Sequence, residues 1–349
     1  MTHRLHVIGL PHTATTGAYH CCAYTGKIIR FCAMMKSLGH HVTLYGADEN
    51  EAWCDELVVC TEPWAPEQYT DAPFNAAAPH WQAMNRAAIR AMQSRVEQRD
   101  YICLIAGTCQ EPIADAFPCH TAVEFGIGYS GVCERTHKVW ESYAWMHAVY
   151  GQAGADRADG RWYDAVIGNY FDPADFPLQT EKGDYLLYLG RLTARKGVQV
   201  AVDVAQRLGK RLVLAGPGDP SPYTGEHVEH VGVVGGARRA ELLGRAQALL
   251  VPTLYLEPFG GVAVEAMLCG TPVITSDWGA FTEYVVDGVN GFRCRTLAEF
   301  CGAATVAPAL DPVHIHTMAV KRFGMDNVRH QYDEYFGRLA TLWGAGWYA

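Results

Sequence analysis

The sequence predicts an α/β protein of two doubly wound domains, each built on a parallel sheet with helices on both faces. Three observations lead to this prediction. The 349 residues are more than one ordinary domain needs. Hydrophobic residues make up 49% of the chain and charged residues 19%, which provides a sizeable core. Short apolar runs alternate with stretches of helical periodicity in both halves, as in parallel sheets whose strands are connected by helices.

The first half of the chain opens with this alternation. Residues 5–10 (LHVIGL) form the short apolar run of a buried strand. Residues 27–39 (KIIRFCAMMKSLG) place apolar side chains at helical spacing and end at a glycine, a typical stop signal. The series continues with strands at 41–46, at 101–107 and within 120–131, and with a helix at 79–98.

An aromatic segment, KVWESYAWMHAVYG (138–151), predicts a further helix. Its rings are expected in the core rather than on a sugar-binding surface, because large aromatic side chains are usually buried. The rings in question belong to Trp140, Tyr143, Trp145 and Tyr150.

The pattern restarts near Asp164, and a Pro-bearing connector within 164–176 marks a hinge. We therefore expect a first domain at 1–172, a second at 173–325, and a C-terminal helix at 326–349 that packs back toward the first domain. The second domain has predicted strands at 185–190, 211–216, 248–253 and 272–277, and predicted helices at 197–208 and 261–268.

Composition argues against several classes of function. The formal net charge of -9 disfavours a nucleic-acid partner, because phosphate contacts require Lys and Arg. The 12 cysteines are scattered without metal-binding spacing, which favours free thiols in a reducing compartment. The first residues show no signal-peptide pattern, and no run of ~18 apolar residues occurs. We expect a cytoplasmic protein without a transmembrane segment, whose membrane contact is at most peripheral.

Two glutamates, Glu257 and Glu265, flank a glycine pair where a helix is predicted to begin. Gly260 and Gly261 let a ligand approach the backbone closely, and the first amides of a helix can bind phosphate. One carboxylate could then meet sugar hydroxyls and the other a ribose. The alternative is that both glutamates are solvated residues of a helix start, where acidic side chains are common.

A second charged motif follows the predicted strand at 185–190. Gly190 and Arg191 come at its end, and Lys196 lies five positions after the arginine. Ligands bind at the carboxyl ends of parallel strands, and Arg and Lys suit a diphosphate. Gly216 lies in a comparable loop after the next strand. Two solvated cations at a helix start are the alternative.

Taken in order, these motifs resemble the donor domain of the retaining glycosyltransferases of family four. The resemblance implies the GT-B fold, in which two Rossmann-like domains face a central cleft. The segments that carry it lie between residues 185 and 295 and read GRLTARKG (190–197), LAGPGD (214–219), VPTLYLEPFGGVAVEAMLCGTPVIT (251–275) and DWGAFTEYVVDGVNGF (277–292).

The resemblance also implies roles for the matching residues. Arg191 and Lys196 would stabilise the diphosphate of a nucleotide sugar as it departs, and Glu257 would contact the sugar hydroxyls. These three residues, with Glu124 of the first domain, are the expected catalytic residues. The expected donor-binding residues are Gly190, Arg191, Lys196, Gly216, Val234, Glu257, Phe259, Gly260, Gly261, Val262 and Glu265.

The first domain resembles the family only in outline. The usual glycine pair before its first helix is replaced by CCAYTGK (21–27), and the strand-end segment LIAGTCQEP (104–112) lacks the family's frequent histidine. Glu124 stands roughly where another family histidine often lies, with a buried, hydrogen-bonded carboxylate as the alternative. The candidate acceptor-site residues are Thr15, Thr16, Gly26, Lys27 and His120.

The resemblance thus implies retaining transfer of a sugar from a nucleotide-diphosphate sugar to a hydroxyl of a glycan or small-molecule acceptor. UDP is favoured over GDP on family frequency. No Asp-x-Asp motif lies in a strand-end loop, so we expect metal-independent transfer without a cofactor. A nucleotide-sugar epimerase on the same fold and a non-catalytic nucleotide-sugar sensor are the alternatives. An NAD-dependent oxidoreductase is disfavoured, because VIGLPHTATTG (7–17) lacks GxGxxG spacing.

Overall fold

The computed structural model describes residues 2–19, 22–154 and 162–343. Within it the chain divides into two compact units. The described residues of the first unit fall within Met1–Glu141, Ala148–Tyr170 and Met325–Ala349, and those of the second within Ser142–His147 and Phe171–Gly324.

The first unit is built on a seven-stranded sheet. Its strands are β1 (Arg4–Ile8), β2 (His41–Gly46), β3 (Glu56–Val59), β4 (Tyr101–Leu104), β5 (Thr121–Ile127), β6 (His137–Trp140) and β7 (Ala165–Val166). They are ordered β3-β2-β1-β4-β5-β6-β7, and every neighbouring pair is parallel, which makes the sheet doubly wound. Helices α1 (Ala23–Ser37), α2 (Pro79–Met92) and α3 (Glu111–Ala116) belong to this unit, whereas α4 (Tyr143–Gln152) has its first residues in the second unit.

The second unit is built on a six-stranded parallel sheet. Its strands are β8 (Tyr185–Leu189), β9 (Arg211–Ala215), β10 (Val228–His230), β11 (Ala248–Val251), β12 (Val273–Ser276) and β13 (Gly291–Cys294). The order β10-β9-β8-β11-β12-β13 is again that of a doubly wound sheet. Its helices are α5 (Val198–Leu208), α6 (Gly236–Arg245), α7 (Gly261–Leu268), α8 (Phe281–Tyr284), α9 (Leu297–Val306) and α10 (Pro312–Phe323).

The C-terminal helix, α11 (Met325–Ala340), belongs to the first unit. Its Tyr332 ring packs edge-on against Phe31 of α1, and the Tyr101 hydroxyl of β4 donates a hydrogen bond to the Phe336 carbonyl at 3.1 Å. These aromatic contacts join the helix to the core of the first sheet. Residues 344–349 of the predicted C-terminal helix lie outside the described residues.

The predicted helix at 138–151 is wrong in its first part. Residues His137–Trp140 form β6 and pair with β5 and β7, and α4 begins only at Tyr143. Trp140 is buried as expected, whereas the Tyr143 side chain is 56% exposed. A short aromatic run fits strand and helix equally well by periodicity, and here pairing inside the sheet decides. Two further four-residue strands, β3 and β13, have no predicted counterpart.

None of the helices described within 2–19, 22–154 and 162–343 is both long and apolar enough to cross a membrane. The longest of them, α11, has 16 residues, whereas a spanning helix needs about 20 apolar residues. This helix also carries charged side chains, such as Arg329 and Glu334.

A close backbone contact holds two strand-end loops of the second unit together. Gly197, which follows the single turn Ala194–Lys196, has a φ of 72°, a conformation that favours glycine. A Cβ at this position would lie 1.9 Å from the carbonyl oxygen of Pro252, in the loop after β11. The contact leaves no space for a side chain, so it fixes the loop after β8 against the loop after β11.

Gly197→Ala is therefore expected to destabilise the second unit by about 2 kcal/mol or more, because left-handed backbone strain adds to steric overlap. Urea unfolding should show this as a lower midpoint. Gly209→Ala is the matched control, since Gly209 has a φ of 58° but its added Cβ would meet only His227 Nε2, at 3.9 Å. A midpoint for Gly197→Ala no lower than that of Gly209→Ala would contradict the role given to this contact.

Candidate functional site

The two central strands of the second sheet, β8 and β11, end side by side where the strand order reverses. In doubly wound sheets the loops at such a reversal form the ligand crevice. Residues 190–197 follow β8, and residues 252–260 follow β11. The predicted donor-site residues in these loops therefore start from adjacent strand ends.

Lys196 and Glu257 form an ion pair between these two loops, with Nζ 2.7 Å from Oε2. Their side chains are only 21% and 10% exposed, so the attraction is screened less by water than that of a surface pair. Thr253, in the same loop as Glu257, donates its hydroxyl to the carboxylate at 3.3 Å. Two residues 61 positions apart are thus in direct contact.

Tyr255 lies beside two cations at this site and was not among the predicted residues. Its ring centroid is 4.9 Å from Lys196 Nζ and 5.0 Å from the Arg195 guanidinium carbon, within the range of cation–π attraction. Burial, together with the neighbouring Glu257 carboxylate, raises the pKa of the Tyr255 hydroxyl above its ordinary value. The hydroxyl therefore stays protonated and can donate to Glu257. Its sequence neighbours, both leucines, carry no signal of this role.

Arg191 supplies a cation at the end of β8. Its side chain is exposed and makes no salt bridge or hydrogen bond to any residue that the structure describes. The backbone around it is fixed, because the Arg191 carbonyl accepts a hydrogen bond from the Tyr188 hydroxyl at 2.8 Å. The Gly190 amide donates to Ala215 at 2.9 Å, and a Cβ on Gly216 would lie 2.0 Å from the Gly190 carbonyl oxygen. These contacts hold the loops after β8 and β9 together, and the Arg191 guanidinium lies in solvent.

Helix α7 begins at Gly261 directly after a glycine that holds the loop against α8. Gly260 has a φ of 79°, and a Cβ there would lie 2.4 Å from Cε1 of Phe281. As the N-cap, Gly260 has no side chain with which to bind the helix amides. The first amides of α7 are therefore left for water or for an anion.

Glu265 pairs with Arg239 of α6, a second residue that the sequence prediction missed. Arg239 Nε lies 2.7 Å from Glu265 Oε2, and Arg239 Nη2 lies 2.5 Å from the same oxygen. Both side chains are mostly shielded from solvent, at 28% and 15% exposed. The sequence segment ARRAE contains two adjacent arginines, and only the tertiary structure shows which of them reaches Glu265.

Three predicted donor-site residues have apolar side chains that contribute to the core of the second unit. The Phe259 ring is buried against Phe171, Tyr284 and Phe323. It therefore positions the loop and offers no side-chain surface to a ligand. Val234 and Val262 are partly buried and pack against the same core.

The predicted acceptor-side residues of the first unit are largely engaged within that unit. The Lys27 ammonium is buried, forms an ion pair with Glu141 and donates to the Gly126 carbonyl at 3.1 Å. The buried Thr15 hydroxyl donates to Asn50 Oδ1 at 2.5 Å. Gly26 lies in the first turn of α1. The Thr16 hydroxyl is buried, and no partner for it occurs among the described residues.

Glu124 of β5 has the environment of a structural carboxylate. Its side chain is fully buried. One carboxylate oxygen accepts from the Tyr129 hydroxyl at 2.7 Å, and the other from the Cys133 amide at 2.9 Å and the Thr136 hydroxyl at 3.2 Å. Burial raises the pKa of Glu124 above its ordinary value, although these hydrogen bonds act to lower it. This geometry favours the structural alternative over the catalytic role expected for Glu124.

His120 lies at the wrong end of the first sheet for the acceptor role expected of it. It directly precedes β5, so it stands at the amino edge of the parallel strands. Thr15 and Thr16 follow β1 and lie toward the carboxyl edge. The His120 ring packs edge-on against Phe117. His120 and Glu124 are close in sequence, but His120 precedes β5 and Glu124 lies inside it, so closeness in sequence does not place them at the same edge of the sheet.

The second unit thus places two cations and Glu257 in loops that follow adjacent strands, and α7, which carries Glu265, begins directly after the second of these loops. Arg191 and Lys196 can hold a diphosphate by charge and hydrogen bonds, and the first amides of α7 can bind phosphate. In the described part of the chain, no three His, Cys, Asp or Glu side chains are grouped so that they could hold a metal ion. Glu257 and Glu265 can accept hydrogen bonds from hydroxyl groups at either side of the helix start.

The sequence of the second unit matches a known family. Residues 183–306 match the family described as glycosyl transferases group 1. A glycogen synthase of Mycobacterium tuberculosis is 34% identical over 164 residues, which make up 42% of this chain and 39% of that protein. The chain spans less than half the length of the curated relatives it matches most significantly.

Solved structures match the whole described fold. A glycosyltransferase involved in avilamycin A biosynthesis superimposes with a TM-score of 0.69 at 23% identity, over 96% of this chain and 97% of that one. An Anabaena protein, HepE, solved in complex with UDP-glucose, superimposes with a TM-score of 0.65 at 18% identity, over 96% of this chain and 99% of that one. At these identities the likeness establishes the fold. Residues 183–306 are therefore similar to the group 1 glycosyltransferases, and the chain has a GT-B fold of two Rossmann-like domains.

Proposed function

We propose that this protein transfers a sugar, with retention of configuration and without a metal ion, from a nucleotide-diphosphate sugar to a hydroxyl of a glycan or small-molecule acceptor. The observation that carries this proposal is the contact between Lys196 and Glu257 at adjacent strand ends, with Arg191, which has no side-chain partner among the described residues, in the same loop as the lysine. The match of residues 183–306 to the group 1 glycosyltransferases supports it.

The charges of the site suit a departing diphosphate. Arg191 presents a planar guanidinium and Lys196 a compact ammonium, which together stabilise negative charge that grows as the sugar–phosphate bond breaks. Lys196 is held in place by Glu257 before any ligand arrives. A cation that is already positioned needs little reorganisation during the reaction, which is the condition for effective electrostatic catalysis.

The proposed reaction needs no nucleophile from the protein. The acceptor oxygen forms a bond to the anomeric carbon on the face from which the diphosphate leaves, and the carbon–oxygen bond to the diphosphate breaks. The leaving phosphate oxygen takes the acceptor's proton. Retention follows because attack and departure share one face. Catalysis then consists of positioning and charge stabilisation.

A UDP-sugar is the favoured donor. The Anabaena structure that shares this fold was solved with UDP-glucose, which supports a uridine nucleotide for this chain as well. In the proposed complex Glu257 accepts hydrogen bonds from the sugar hydroxyls, the α7 amides bind phosphate, and Glu265 accepts from the ribose.

The function is tested by incubating the protein with a panel of UDP- and GDP-sugars and measuring nucleotide release, with and without glycan acceptors. We expect slow hydrolysis of one donor and faster release when a suitable acceptor is added. Binding of a donor without release under any condition would instead support a nucleotide-sugar sensor. Isomerisation of the sugar on the intact nucleotide would support an epimerase.

The same release assay tests metal independence. We expect full activity after treatment with excess EDTA, since Arg191, Lys196 and the α7 amides carry the charge stabilisation in this proposal. Loss of activity that Mn²⁺ or Mg²⁺ restores would show that a metal performs that role.

Lys196→Ala is expected to lower kcat about 100-fold, as removal of one transition-state donor typically does, and to raise the donor KM much less. The reason is that Lys196 meets its strongest negative charge only when the bond breaks. Steady-state kinetics with the donor identified by the panel would measure both parameters.

Lys321→Ala is the control for this variant, because Lys321 is an exposed lysine of the same unit near the end of α10. Removing Lys196 also leaves Glu257 shielded and unpaired, so the thermal midpoint of each variant is measured alongside. A folded Lys196→Ala protein with unchanged kcat would show that Lys196 does not stabilise the leaving group.

A further inference from the structure

Arg239 holds the carboxylate of Glu265 by one oxygen only. Its Nε and Nη2 lie 2.7 and 2.5 Å from Oε2. The other oxygen, Oε1, accepts no hydrogen bond from the described residues. An Arg–carboxylate pair often engages both oxygens through two parallel bonds. Here both donors meet on Oε2, so Oε1 keeps its full capacity to accept.

The free oxygen lies on the helix that forms the candidate donor site. Glu265 follows Gly261 by four residues on α7, and residues four apart share one face of a helix. The Glu265 side chain is 15% exposed, so a ligand at the start of α7 meets a carboxylate whose remaining contact surface is small and defined.

We propose that Arg239 is a positioning residue of the donor site, which fixes Glu265 by Oε2 so that Oε1 receives the hydroxyls of the nucleotide ribose. This inference rests on the proposed function and adds a residue to it. A free glutamate side chain samples several rotamers, and fixing it before binding reduces the entropic cost of the ribose contact. A guanidinium suits this task, because its donors are held in a rigid plane.

The adjacent arginine provides a matched control. Arg238 pairs with Glu241 of its own helix, with Nη1 2.7 Å from Oε2. Both partners are more than half exposed, at 56% and 51%, so this surface pair contributes little. Arg238 and Arg239 share residue type, helix and charge, and they differ in which glutamate they bind.

The deciding measurement is the loss of affinity when the ribose hydroxyls are removed. Isothermal titration calorimetry is carried out with UDP, GDP and their 2′,3′-dideoxy analogues on the full chain. For the wild-type protein we expect the preferred nucleotide to bind at least about 10-fold more tightly than its dideoxy analogue, as a hydrogen bond to a charged group implies.

In Arg239→Ala we expect the preferred nucleotide to bind about 10-fold more weakly and the dideoxy analogue to bind almost as it does to the wild type. The ratio between the two affinities then falls about 10-fold from its wild-type value, since a mobile Glu265 gains little from the hydroxyls. Arg238→Ala should retain the wild-type ratio. A pair that only joins α6 to α7 would weaken both nucleotides equally and leave the ratio unchanged, and that result would overturn the proposal.

Two further results complete the test. If Arg239→Ala does not fold, as judged by its thermal midpoint, Arg239→Lys replaces it. We expect its affinity ratio to lie between the wild-type ratio and 1, because an ammonium keeps the charge but lacks the rigid planar donors of the guanidinium. An unchanged ratio in a folded Arg239→Lys protein also overturns the proposal. If neither UDP nor GDP binds the wild-type protein, the proposed function itself fails. This result differs from nucleotide binding whose affinity ratio is unchanged by the Arg239 substitution, which overturns only the role of Arg239.

Discussion

The contact between Gly197 and Pro252 is the constraint on which the arrangement of the candidate site depends. A Cβ on Gly197 would lie 1.9 Å from the Pro252 carbonyl oxygen, so the loop after β8 lies directly on the loop after β11. Lys196 immediately precedes this glycine, and its ammonium consequently reaches Glu257 across the two loops. A larger residue at position 197 would separate the strand-end loops and with them the opposite charges.

The second unit prepares its charged groups before a ligand is present. Lys196 is held by Glu257 and by the ring of Tyr255, and Glu265 is held by Arg239. Arg191 alone extends into solvent without a described partner. Side chains that are already fixed lose less entropy when a ligand binds, and a fixed dipole or charge stabilises a transition state better than a mobile one.

The first unit uses its polar residues differently. Lys27 and Glu141 neutralise each other in the interior, and Glu124 satisfies three donors of neighbouring loops. Buried charges of this kind need partners, because an unpaired charge is costly away from water. The polar residues that the sequence offered for acceptor binding are thereby explained largely by the packing of the first unit itself.

The sequence by itself determined the two doubly wound sheets, most strand positions and the set of donor-site motifs, because short apolar runs, glycine positions and charged strand ends are local signals. Only the tertiary structure decided that residues 137–140 join the sheet as β6, that Glu124 is internal and that His120 lies at the opposite sheet edge. It also decided that Arg239, and not Arg238, meets Glu265. These outcomes depend on strand pairing and on contacts between residues far apart in the chain. Neither can be predicted from the spacing of residues within one segment.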